Sequence, residues 1–162
     1  MRKIHRDVEA PVDLGTDVIG VPEGSALELD LRLESVMEGV LVSGAIRGRA
    51  AGECVRCLGE VDSPLEAGLQ ELYVYPERAP EGQTDDELHE LEGDFIDLEP
   101  VIRDAVVLAL PFQPVCRPDC PGLCSECGAR LADDPEHTHD SADPRWAALQ
   151  GLSQTLDDEK ES

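Results

Sequence analysis

Residues 26–34 read ALELDLRLE, and the fold turns on how this stretch is read. Leu27, Leu29, Leu31 and Leu33 alternate with Glu28, Asp30, Arg32 and Glu34. A helix needs apolar residues three and four apart, whereas strict alternation is the period of a half-buried antiparallel strand. SVMEG (35–39) then makes a turn. VLVSGAIRGRA (40–50) returns as a partner strand, with Val40, Val42 and Ile46 on one face and Arg47 and Arg49 on the other. Gly44, Gly48 and Gly52 recur every four residues. They lack the G-K-[ST] of a phosphate loop and read as bulges or close backbone approach in a curved sheet. VDSPLEAGLQELYVY (61–75) supplies a third long strand, in which Pro64 signals an edge or a bulge.

FIDLEPVIRDAVVLALP (95–111) is the clearest helix. Asp97 is a good N-cap and Pro100 falls in the first turn, where its missing N–H costs little. Val101, Ile102, Ala105, Val106, Leu108 and Ala109 leave so little polar face that the helix is expected to be mostly buried against the sheet. Residues 76–94 are acidic and rich in Pro and Gly, and read as a mobile loop. Asp85, Asp86, Glu87, His89 and Glu90 there form a solvated charge run. His5 and His89 have no visible partner. Asp143 and Pro144 open a short helix carrying Trp146, Leu149 and Leu152. The expected fold is α+β: an antiparallel, curved sheet or partial barrel with one buried helix and a C-terminal zinc-knuckle segment. The expected organisation is a single zinc-binding domain, 1–152, and a disordered acidic tail, 153–162.

The net charge is −23, with 36 acidic against 13 basic residues. That excludes a protein that covers nucleic acid with a basic face, because phosphate neutralisation supplies most nonspecific affinity. It suits one that approaches basic partners. Residues 40–57 run the other way, with Arg47, Arg49 and Arg56 against Glu53 alone. Five aromatic residues are too few for a base-stacking platform. With no signal peptide and no spanning segment, the expectation is a reduced, cytoplasmic chain. In that setting clustered cysteines are ligands or redox groups before they are disulfides.

CVRC (54–57) and CRPDCPGLCSECG (116–128) hold all six cysteines. A C-x2-C turn points both sulfurs at one ion, and zinc takes four ligands in a tetrahedron. Adding His137 and His139 makes eight ligands, enough for two closed sites. The preferred partition is Cys54, Cys57, Cys116 and Cys120 for one, and Cys124, Cys127, His137 and His139 for the other. The alternative is one site of Cys116, Cys120, Cys124 and Cys127, with Cys54 and Cys57 free and the histidines plain surface residues. Arg56 and Arg117 lie inside the ligand loops of the first site, where a cation would offset thiolate charge. A thiol redox or redox-sensing role for the C-x2-C pairs is a competing reading, as is an acidic adaptor with a structural metal. An iron–sulfur cluster is a further one. No triad, H-E-x-x-H, dinucleotide or kinase signature is present, so no catalytic residue and no small-molecule substrate is expected.

In this order, GECVRCL, IDLEPVIRDAVVLALP, CRPDCPGLCSECGARL and DPRWAAL resemble the YceD family of large ribosomal RNA subunit accumulation proteins. The stretch 13–44 is similar to the family's actinobacterial branch. The resemblance covers roughly residues 10–152. It implies a non-enzymatic protein of ribosome biogenesis, with ribosomal proteins or pre-50S particles as partners. A minor rRNA contact through Arg47, Arg49 and Arg56 is open, and neither DNA nor membrane is implied. Many relatives have C-x-C where this chain has His137-Thr-His139, which makes those histidines substitute ligands. Many begin further upstream, leaving open whether Met1 cuts into the first element.

Overall fold

The computed structural model describes residues 1–78 and 89–139. The helix expected from Asp143, the tail 153–162 and the acids Asp85, Asp86 and Glu87 lie outside the described residues. The chain divides into two compact units, Met1–Cys120 and Pro121–Ser162.

In the first unit the strands are β1 (Arg2–Glu9), β2 (Leu14–Gly15), β3 (Ile19–Val21), β4 (Ala26–Ser35), β5 (Gly39–Glu53), β6 (Glu60–Val74) and β7 (His89–Glu90). The helix is α1 (Glu99–Ala109). β5 is central. β6 pairs with it antiparallel along its whole length, Gly39↔Val74 to Glu53↔Glu60. On its other side β5 holds β4 and then β3. β1 extends the sheet beyond β4, and β7 adds a short parallel pairing to β6. The result is a curled, almost wholly antiparallel half-barrel with one helix.

The leucine alternation does what its period demands. Leu27, Leu29 and Leu31 are buried, whereas Glu28, Asp30 and Arg32 are exposed. Directly paired residues share a face, so Leu29, Ile46 and Ala67 form one cross-strand row and Leu31, Gly44 and Leu69 the next. α1 packs on β6 and reaches β2. It buries Val101, Ile102 and Val106. Two polar ties fix its angle. The Tyr73 hydroxyl donates to the Asp97 carbonyl (2.6 Å), and the Arg103 guanidinium donates to the carbonyls of Asp13 (2.6 Å) and Val12 (3.2 Å).

Several expectations are corrected. The helix starts at Glu99 with Leu98 in the cap position; Asp97 accepts from the Glu99 N–H (3.0 Å), so it serves the helix start from one residue further out. The helix is also less covered than its composition implied. Leu108 is 85% exposed because the half-barrel meets only one flank of it. β1 was not legible, since RKIHRDVE has no apolar alternation; backbone pairing with β4 from Arg2↔Leu33 to Glu9↔Ala26 holds it. Within 76–94, Pro76–Arg78 form a 3-10 turn and His89–Glu90 pair with Tyr73–Val74. His5 does have a partner, Asp30 (2.8 Å), which with its charge raises the imidazole pKa. His89 lies against the Tyr73 ring, centroids 5.3 Å apart. Among the described residues, no helix is long and apolar enough to cross a membrane.

The glycines mark close approach rather than bulges, since the β5–β6 register is unbroken. A Cβ on Gly44 would run into the backbone of Asp30 and Leu31, whereas one on Gly68 would meet only the Gly44 carbonyl at 4.0 Å. Gly44→Ala is therefore expected to destabilise the chain by about 1–3 kcal/mol, the usual range for overpacking. Gly68→Ala is expected to be neutral or slightly stabilising. Denaturant unfolding of the two variants checks the contrast.

Candidate metal centres

The β5–β6 hairpin closes through Cys54–Gly59. The Cys54 N–H donates to the Gly59 carbonyl (2.7 Å) and the Leu58 N–H to the Cys54 carbonyl (2.9 Å). Leu58 takes a left-handed conformation, φ 56°. The second unit repeats this turn. The Cys124 N–H donates to Ala129 (2.8 Å), the Gly128 N–H to Cys124 (2.9 Å), and Gly128 has φ 73°. Both C-x2-C segments thus fold into one local structure, in which N–H groups surround the first sulfur. Glycine meets the left-handed requirement without strain in the second turn, and Leu58 meets it at a cost in the first.

Pro111 ends α1, and the chain turns back beside the hairpin, where the Val55 N–H donates to the Pro114 carbonyl (2.9 Å). This delivers Cys116 and Cys120 to Cys54 and Cys57. The ligand atoms of all four lie within 4.8 Å of one another. Cys54–Cys120 and Cys57–Cys116 sulfur separations are 3.9 and 3.7 Å. A tetrahedral ion with metal–sulfur bonds of about 2.3 Å sets its sulfurs about 3.8 Å apart. None of the six cysteines is in a disulfide. The Arg56 guanidinium donates to the Pro118 and Cys120 carbonyls (3.2 and 3.1 Å), tying one ligand loop to the other and placing a cation beside the thiols. Arg117 turns to Asp119 (3.5 Å).

In the second unit, Cys124, Cys127, His137 and His139 form a group of the same dimension. Nε2 of His137 and of His139 lie 3.2 and 3.3 Å from the Cys127 sulfur and 2.9 Å from each other. Nδ1 of each ring faces outward, His137 toward Asp134 (3.8 Å) and His139 toward Glu126 (3.6 Å). Both contacts are longer than a hydrogen bond, so each carboxylate acts on its imidazole through charge, which favours the inner nitrogen as ligand atom. These two acids were missed in the sequence. The available signal was Asp134 three residues before His137 and Glu126 inside the C-x2-C.

The thiols are unequal. N–H groups, first that of Cys116, hold the Cys54 thiol down to about 6 against burial. The N–H groups of Cys127 and Glu126 do the same for Cys124, also about 6. Cys116, hydrogen-bonded first with Cys120 and also with Cys57 and Cys54, is pushed up to about 12. Four adjacent thiols therefore do not ionise together unless a cation neutralises them. The structure brings the eight cysteine and histidine residues singled out in the sequence into these two groups, and each group is close enough to bind one metal ion.

Residues 42–153 match the family described as Large ribosomal RNA subunit accumulation protein YceD. Uncharacterized proteins of Mycobacterium tuberculosis and Mycobacterium bovis are each 49% identical to the chain over 150 residues, covering 92% of it and 72% of the relative. The chloroplastic Large ribosomal RNA subunit accumulation protein YCED homolog 1 of Zea mays is 40% identical over 70 residues, 43% of this chain and 22% of that protein. No solved structure matches the chain.

Elemental analysis of the purified chain is expected to give two divalent ions per molecule. Replacing Glu126 by Gln together with Asp134 by Asn is expected to weaken one ion by about 10–100-fold and leave the other unchanged. Chelator competition on wild type and variant reads both values.

Proposed function

We propose a role in the accumulation of large-subunit rRNA, and the premise is that the chain belongs to the YceD family. The observation that carries the reading is the family match, which runs through both cysteine segments and α1. The chain acts without catalysing a reaction. Each candidate centre supplies four protein ligands and so leaves no open position, the arrangement of structural rather than catalytic zinc. Zinc suits the donor sets, four thiolates in one and two thiolates with two imidazoles in the other. In the first unit the ion joins the β5–β6 hairpin to the segment leaving α1.

The protein works in the cytoplasm on assembling large subunits, and basic ribosomal proteins are its partner class. Charge supports this, because residues 58–115 hold 15 acidic against 2 basic residues. The arginines that could have met RNA are engaged within the chain. Arg47 bonds Asp30 (2.6 Å) and approaches Glu66 (3.4 Å), Arg49 bonds Asp62 (2.8 Å), and Arg56 holds the ligand loop. A redox role finds little support, since neither Cys54 nor Cys57 sits at a helix N-terminus; both lie in a hairpin turn.

On depletion, large-subunit rRNA is expected to fall relative to small-subunit rRNA, and the tagged chain is expected to co-sediment with large-subunit precursors. A chain that does neither sinks this function.

A further inference from the structure

The two cysteine turns differ at the position their geometry constrains most. The residue after the second cysteine is left-handed in both, Gly128 in one and Leu58 in the other, with φ 73° and 56°. A left-handed leucine is strained, and such strain gathers at functional positions. Leu58 is 58% exposed, so core packing is not what keeps a leucine there. Val55 in the same turn is exposed too. Its N–H bonds the Pro114 carbonyl, which brings the segment of Phe112, 94% exposed, alongside. The hairpin tip thus presents apolar side chains to solvent.

Charge identifies what covers them. Glu53 and Glu60 stand directly opposite each other at the closed end of the β5–β6 ladder, and both are exposed. The Glu53 N–H donates to the Val18 carbonyl (3.0 Å), away from β6, whereas the next residue, Cys54, donates to Gly59. Glu53 and Glu60 are therefore a non-hydrogen-bonded pair, the class whose side chains lie closest, and two carboxylates at that spacing repel. Among the described residues, no ion pair reaches either of them. The cations around them are turned elsewhere, Arg49 to Asp62 and Arg56 to the Pro118 and Cys120 carbonyls. The other acidic cross-strand pair among the described residues, Asp7 opposite Glu28, does have cations: His5 lies 4.0 Å from Asp7, and Arg47 is opposite Glu28.

The rest of the chain does not supply the missing cation. Residues 79–88 leave and rejoin at the far end of β6. That strand has 15 residues and runs about 50 Å, whereas a loop of about ten residues reaches about 20 Å at most. Residues 140–162 hold six acidic against two basic residues and would add repulsion. A second copy of the chain would bring the same two carboxylates.

We propose that the hairpin tip docks a basic segment of a partner protein, an arginine of which bridges Glu53 and Glu60 while a neighbouring apolar side chain covers Leu58 and Val55. The guanidinium fork suits two carboxylates side by side, and the apolar contact keeps water from them. The inference rests on the reading that the partner is a basic protein, and it adds the surface and the contact that selects it.

The probe is the end-capped peptide Arg-Leu-Arg-Leu-Arg, titrated into the zinc-loaded full chain and followed by NMR. Amide shifts are expected to centre on Glu53, Leu58 and Glu60. Arg-Ser-Arg-Ser-Arg, of equal charge, is expected to bind about tenfold more weakly or worse. Glu53→Gln with Glu60→Gln is expected to weaken binding by about tenfold or more. Asp7→Asn with Glu28→Gln removes equal charge and is expected to leave binding within about twofold. Leu58→Gly is expected to weaken binding, yet to unfold no earlier than wild type in denaturant, because glycine relieves the left-handed strain. No binding by wild type, shifts spread over the acidic surface, equal loss from the two pairs of substitutions, or a dimer that Leu58→Gly dissolves overturns the docking. The variant joining Leu58→Gly, Glu53→Gln and Glu60→Gln is expected to lose co-sedimentation with large-subunit precursors. If it co-sediments as wild type does, the docking is overturned and the family function stands.

Discussion

Fifteen consecutive cross-strand pairs between β5 and β6 organise the first unit. Because the register never slips, every side chain along both strands has its face assigned. One face takes Ile46, Leu65, Ala67 and Leu69 into the core. The other carries Arg47 with Glu66 and Arg49 with Asp62, ion pairs at exposed, solvent-screened positions that contribute little to stability. The ladder's closed end is the turn of Cys54 and Cys57, and its far end starts the pairing to β7. α1 packs on β6.

The two cysteine turns show how one local solution serves different surroundings. Each is a C-x2-C segment closed by the same pair of backbone bonds. In the first, Cys54, Cys57 and Cys120 are buried. Four thiolates around a divalent ion leave a net charge of about −2, and Arg56 stands beside them. In the second, two imidazoles stand in place of two thiolates, so a divalent ion there would have a neutral shell, with Glu126 and Asp134 adding negative charge behind the rings. Each group lies within its own compact unit, so each ion would act as a local staple. Structural zinc binding on the order of 10 kcal/mol is comparable to the whole stability of a domain.

The charge distribution connects fold to function. A net charge of −23 keeps the chain from broad contact with phosphate. Arg32, Arg47 and Arg49 of the sheet are paired with Glu34, Asp30 and Asp62. The basic window at 40–57 looked available only because a linear reading does not show Asp30, Asp62 and Glu66 on adjacent strands.

Local periodicity by itself determined the antiparallel sheet, the helix and the set of candidate ligand side chains, because alternation, capping and C-x2-C geometry act over a few residues. ALELDLRLE could be little else than a strand with one wet face. Only the tertiary structure decided that RKIHRDVE is a strand, since its stability comes from pairing with β4 and not from its own pattern. It also decided which thiols meet. Cys54 and Cys120 are 66 residues apart and reach 3.9 Å only because the ladder and α1 return both to one end. The exposure of Leu108 is likewise a property of neighbours in space, and spacing along the chain carries no record of it.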